Sequence, residues 1–287
     1  MRRDGDVGRD AESPCLLEID DLSSERCYRD RDELEVRQAQ RDADDRQAHQ
    51  HARDHVEQQA HETDSTDGTE VGSAPVTVEV RDVAAGLWLW RQPHPDWREG
   101  FDWEPDVASF AVESRGVGLL IDPLAPPPGA AEVWARLDAG RPDVVVVLKP
   151  DHVRDVDLFV RWYGVRAYGP YLFWRDDVPH TELEPLRPGD ELPGGLQAHF
   201  DGRGAMETPV YLPEQRALVF ADGMTAPGGV LRVWATPWHT ERTLPALRAL
   251  LALPFEHVLV SHGEPVHARA DFEAALEREP WSEWSGA

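Results

Sequence analysis

Four residues stand where chemistry could be done. Asp151 and His152 follow the apolar run "DVVVVL" (143–148), Asp222 follows "RALVFA" (216–221), and His262 follows "HVLVS" (257–261). Imidazole nitrogens and carboxylate oxygens are the donor set of a single Zn2+, with Mn2+ or Fe2+ as alternatives. A cation so held polarises a carbonyl and acidifies water, which is the basis of ester, thioester or lactone hydrolysis. Each residue also has a plainer reading. Asp151 is able to cap a helix, Asp222 before Gly223 to make a turn, and His262 before Gly263 to be a core histidine bonded to backbone. Lys149, in "LKPDH", is the only lysine in the chain, where every other strongly basic side chain is arginine.

These residues need strand ends to hold them. "DVVVVL" and "HVLVSH" (257–262) read as buried strands from their continuous β-branched runs. "VTVEV" (76–80) and "GLWLW" (86–90) alternate like half-buried strands, and "VASFAVES" (107–114) with "VGLLIDP" (117–123) reads as a hairpin. "AAEVWARLDAG" (130–140) reads as a helix ended by Gly140. "HVRDVDLFVRWYG" (152–164) reads as another, with Val153, Val156, Val160 and Tyr163 on one face and Gly164 as its stop. In the second half, "GGLQAHF" (194–200), "TPVYLPE" (208–214) and "RALVFAD" (216–222) are strands. "TERTLPALRALLAL" (240–253) is a helix capped by Thr240, and "ADFEAALERE" (270–279) a closing helix. Each half therefore runs from strands into strand–helix alternation, which predicts a two-sheet α/β sandwich with helices outside.

Residues 1–73 differ in kind. They are acidic and polar, carry no Trp or Phe, and lack an apolar stripe, so disorder or a solvated helix is expected there. His49, His51 and His55 in this stretch read as solvated polar residues. The globular domain is expected over 74–287. Acidic residues number 54 against 29 basic, a formal net charge of -25 that disfavours nucleic acid and anionic lipid as partners. Near-absence of lysine suits a high-salt, halophilic setting. GC-rich coding explains much of the same bias. Two cysteines, Cys15 and Cys27, make no disulfide framework. No apolar run is long enough to span a membrane, and "MRRDGDVGRDAESP" has no secretory h-region, so a cytoplasmic location is expected.

Taken in order, "VLKPDH", "RGAMET", "LVFADG" and "VSHGEP" resemble the motifs of the metallo-β-lactamase superfamily. That pattern is H-x-H-x-D-H on a strand-to-helix loop, a histidine in a G-H turn, an Asp after an apolar strand, and a late G-H-G. "SFAVESRGVGLLIDP" is similar to the family's hairpin before the first motif, with Asp122 at the position of its structural aspartate. The resemblance covers about residues 76 to 280 and implies an αββα four-layer sandwich with the site at one edge between the sheets. It departs at the H-x-H positions, which are Val147 and Lys149, and at the turn histidine, which is Ala205. The ligands of the family's first metal are therefore missing. Asp151, His152 and His262 match those of its second metal, and Asp222 matches the bridging carboxylate.

The resemblance implies a small-molecule substrate or ligand and either one divalent metal or none. Asp151 and Lys149 are the catalytic candidates, and Asp151, His152, Asp222 and His262 the metal ligands. Lys149 is either a charge surrogate for the lost cation, paired with Asp222, or a solvated lysine at a strand end. His199, Arg203, Glu207 and His239 are the candidate substrate-binding residues. Two functions stand open: single-metal hydrolysis of a small ester, thioester or lactone, and a non-catalytic protein whose degenerate site binds a small ligand or a protein partner.

Overall fold

Val144 and Val146 point into one apolar cluster, Val145 and Val147 into another on the opposite side. That period-2 alternation, apolar on both faces, is what a strand sandwiched between two layers requires. The computed structural model describes residues 77–101, 103–173, 177–203 and 207–282. The expectations for residues 1–73, for His49, His51 and His55, and for Ala205 fall outside the described residues.

The first sheet runs, in spatial order, β1 (Glu79–Ala84), β2 (Leu87–Pro93), β3 (Asp106–Ser114), β4 (Val117–Ile121), β5 (Val144–Val146), β6 (Arg166–Gly169) and β7 (Glu184–Pro185). Pairing is antiparallel from β1 to β4 and parallel from β4 to β7. The second sheet comprises β8 (Gln197–Ala198), β9 (Val210–Leu212), β10 (Ala217–Phe220) and β13 (His257–Val260), in the order β13-β10-β9-β8. A short ribbon pairs β11 (Met224–Thr225) with β12 (Arg232–Val233). The α-helices are α1 (Ala131–Ala139), α2 (Val156–Tyr163), α3 (Leu244–Ala249) and α4 (Arg269–Ala275).

Three apolar clusters define four layers. Leu89, Phe110, Ile121 and Val146 meet Leu212, Val219 and Leu259 between the sheets. On the outer face of the first sheet, Trp90, Leu120 and Val145 pack on Val133 and Leu137 of α1 and on Val156, Phe159 and Tyr163 of α2. On the outer face of the second, Leu218, Phe220, Val258 and Val260 pack on Leu247 of α3 and Phe272 of α4. This is the αββα sandwich.

Several elements differ from their sequence reading. The strand expected over 194–200 shrinks to β8 behind a 3-10 turn at Pro193–Gly195, and the closing helix expected over 270–279 ends at Ala275. The helix expected over 152–164 starts only at Val156. A 3-10 turn at Pro150–His152 precedes it, and Arg154 takes a left-handed φ of 42°. That break turns the Arg154 guanidinium inward, where Nη1 donates to the carbonyls of Ala108 at 2.8 Å and Asp122 at 2.7 Å. Gly164 ends the helix as expected, with φ 68°. The helix expected over 240–253 opens with a π turn, His239–Thr243, without a side-chain cap from Thr240. Pro245 has no N–H to give to the preceding turn, and the wide turn accommodates that gap.

Strand register sets the site. In the parallel pair β10–β13, Phe220 lies opposite Val260, so the residues that follow, Asp222 and His262, emerge at the same level. The start of β3 closes this edge. Ala108 N donates to Ser261 O at 2.9 Å, and Val107 bridges His262. Gly263 has φ 97°, and a Cβ there would sit 2.2 Å from the Ala226 carbonyl oxygen. Gly263→Ala is therefore expected to cost more than about 1 kcal/mol in urea denaturation. The same change at Gly100, with φ 96° and open space around it, carries the backbone strain without the clash and should cost less.

Candidate functional site

Asp122 anchors the first half of the site. It turns off the end of β4 with φ 45° and is fully buried. Its Oδ1 accepts the Leu148 N–H at 2.7 Å, and its Oδ2 lies 2.9 Å from His152 Nδ1. The acceptor at Nδ1 assigns a proton there and turns Nε2 toward Asp222, a carboxylate–histidine arrangement typical of metal ligands.

Three ligand atoms converge. Asp222 Oδ1 lies 3.2 Å from His152 Nε2 and 3.2 Å from His262 Nε2, and His152, Asp222 and His262 each offer an atom within 4.8 Å of the others. Asp222 Oδ1 is nonetheless buried without a properly directed hydrogen bond. Ligand atoms about 2 Å from one tetrahedral ion lie roughly 3.3 Å apart, so the two 3.2 Å spacings are compatible with a divalent cation held between these side chains. Burial lowers the His262 imidazole and neighbouring Asp222 only partly offsets this. Burial would also lower His152, but Asp222 and Asp122 outweigh it and raise the imidazole to about 9. Burial tends to raise Asp222, yet His152 and Lys149 hold it well below the usual carboxylate range. The pocket is thus built around positive charge.

Lys149 lies on the other side of Asp222. Its Nζ pairs with Asp222 Oδ2 and with Asp151 Oδ2, the latter at 2.5 Å. Burial lowers the ammonium, but the two carboxylates raise it further, so it is held cationic. Asp151 belongs to this ion pair and stands apart from the group of three that converges, with its side chain 39% exposed.

Arg203 and Glu207 lie beneath. Glu207 Oε1 accepts the Ala221 N–H at 3.0 Å, and Oε2 accepts those of Asp222 at 2.8 Å and Gly223 at 2.7 Å. Arg203 donates to both Asp201 and Glu207, all three side chains being buried. Burial raises the Glu207 carboxyl to about 7 against the pull of Arg203. Glu207 therefore holds the Asp222 turn by its backbone, and its oxygens are committed to that task. Arg203 reaches the cleft wall with its guanidinium already paired. His199, whose backbone N–H donates to Pro209 O at 2.8 Å, and His239, in the π turn, are both absent from the cleft lining.

The cleft measures about 500 Å3 and is lined by the charged cluster together with His94, Trp103, Val107, Arg154 and Trp234. His94, Arg154 and Trp234 escaped the sequence reading. Burial, followed by the Arg154 charge, lowers His94 to about 4. The one available signal was "QPHPDW", where two prolines isolate a histidine beside a tryptophan.

A layered αββα sandwich carrying His and Asp at the edge between its sheets is a defined class, and comparison with solved structures agrees. A metallo-beta-lactamase from Pontibacter korlensis superposes with a TM-score of 0.53 at 18% identity, covering 71% of this chain and 100% of that one. The metallo-beta-lactamase FIM-1 from Pseudomonas aeruginosa, in a mono-zinc form, gives 0.51 at 18%, covering 70% and 94%. A fragment of diflavin flavoprotein A 5 from Nostoc sp. PCC 7120 gives 0.52 at 16%, covering 71% and 96%. The chain has the metallo-β-lactamase fold. No family model matches it, and no curated protein matches it in sequence.

Glu207→Gln would set an amide N–H2 against backbone donors and leave Arg203 half-paired. A loss of about 3 kcal/mol in urea denaturation is expected. A variant as stable as the parent would show that Glu207 does not support the Asp222 turn.

Proposed function

We propose that the protein is a single-metal hydrolase of a small ester, thioester or lactone. The carrying observation is that His152 Nε2, His262 Nε2 and Asp222 Oδ1 converge while Lys149 occupies the other oxygen of Asp222. Three protein ligands, if they held an ion, would leave room for substrate or water beside it, as catalytic sites require. When bound, a divalent ion, Zn2+ by donor type with Mn2+ or Fe2+ as alternatives, supplies Lewis acidity. The Asp122–His152 pair holds the ring that donates to it, and Glu207 holds the Asp222 backbone. Lys149 stands in for a second cation. Two of its N–H donors serve Asp151 and Asp222, and the third, without a partner among the described residues, would stabilise negative charge developing on a substrate oxygen. Asp151, open to the cleft, is placed to take a proton from water.

The neighbours support this reading through FIM-1, a metallo-beta-lactamase of the same fold in a mono-zinc form. A non-catalytic reading has one observation behind it: Lys149 already neutralises Asp151 and Asp222, so the cluster is balanced without an ion.

Metal content separates the two. Mass spectrometry of the untagged full chain is expected to find about one equivalent of divalent metal, lost in His262→Ala and Asp222→Ala. A folded, metal-free protein would overturn the hydrolase and leave the binding protein. Lys149→Arg is expected to lower both Tm and metal affinity, because a planar fork fits poorly between two carboxylates arranged for an ammonium. Unchanged values would reduce Lys149 to an incidental charge.

A further inference from the structure

A second hollow of about 280 Å3 shares Trp103 and His262 with the main cleft. Its walls are aromatic: Trp97, Phe101, Trp103 and Trp281, with Glu104 among them. The rings are held in place. Trp97 Nε1 donates to Trp103 O at 2.8 Å, and the Phe101 and Trp103 rings lie 5.7 Å apart. Trp281 is tied into the ribbon by two 2.8 Å backbone bonds, its N–H to Val233 O and the Ala235 N–H to its carbonyl. Trp103 also meets the His262 ring edge-on at 5.1 Å, so the hollow adjoins a residue of the converging group.

Charge decides what such a hollow accepts. No lysine or arginine is among the described residues that line it. Aromatic faces and a carboxylate both repel an anion and both attract a cation. Among the described residues Glu104 accepts only a long 3.4 Å bond, from the Gly228 N–H, which leaves its charge largely uncommitted. Apolar walls disfavour a strongly hydrated primary ammonium and suit an alkylated one, whose charge is spread over methyl groups. The net charge of -25 further concentrates cations around the molecule.

We infer that the aromatic hollow is a subsite for a quaternary ammonium group on the substrate, which places an attached ester beside His262. The cation-binding part stands on the hollow alone, and the ester part rests on the hydrolytic reading above. In that reaction water adds its oxygen to the acyl carbon, the acyl–oxygen bond breaks, one water proton goes to the departing alkoxide and the other is released to solvent. The products are a carboxylate and a quaternary ammonium alcohol.

Two assays on the full chain test this. In the first, acetylcholine and its neutral isostere 3,3-dimethylbutyl acetate are compared as substrates. The kcat/KM ratio is expected to favour the cation about tenfold, and to fall in Glu104→Gln and Trp281→Leu. In the second, tetramethylammonium is titrated into chelator-treated protein at constant ionic strength and followed by tryptophan fluorescence. Saturable binding is expected, weakened in the same variants. Binding without hydrolysis of either ester would keep the subsite and sink the ester form of the hydrolytic reading. Equal hydrolysis of both esters would overturn the substrate subsite, whether or not tetramethylammonium binds. Absence of both binding and hydrolysis would overturn subsite and hydrolase together.

Discussion

The site is organised by one constraint: a carboxylate buried at a sheet edge must be met by positive charge. Asp222 answers to His152 and His262 through one oxygen and to Lys149 through the other. Its backbone N–H, with those of Ala221 and Gly223, is held by a second buried carboxylate, Glu207, which itself requires Arg203. Asp122 repeats the pattern on the opposite strand, serving the Leu148 N–H and His152 while Arg154 caps its carbonyl. Each acid has a named partner. Removing one partner strands the other in a medium where an uncompensated charge is costly.

Much of this was legible in the sequence, for reasons that follow from period and position. Val144 to Val147 and Leu218 to Val219 advertise two-faced burial, and the layers follow from that pattern. The strand ends then mark where polar residues face each other. What stayed hidden was pairing at a distance. Nothing in "GRGAMETP" distinguishes a glutamate that reaches substrate from one that props up a turn in β10's wake. The two-residue strands β7, β8, β11 and β12 are too short to show any period. Arg154 reads as an ordinary helix residue until its left-handed φ is seen.

The fold itself says little about the reaction. Its structural neighbours include both β-lactamases and a flavoprotein fragment, so one sandwich serves unlike chemistries. What this chain offers is the content of the edge: three convergent side chains that could hold a metal ion, a single lysine paired with two carboxylates, and an aromatic hollow with a carboxylate beside it. Function has to be argued from those groups.

The bridge between Val107 and His262 also bears on how the protein comes to exist. It joins the start of β3 to the residue just past the last strand, across more than half of the chain. His152, Asp222 and His262 are likewise scattered among β5, β10 and β13, with no two close enough in sequence to chelate locally. Contacts of such separation form late, because loop closure must come before any reward. The centre therefore needs elements of both sheets in place. Its assembly reports that both sheets have docked, and an ion that selects the finished edge would act as a clamp on the native state, slowing escape from it without hastening arrival.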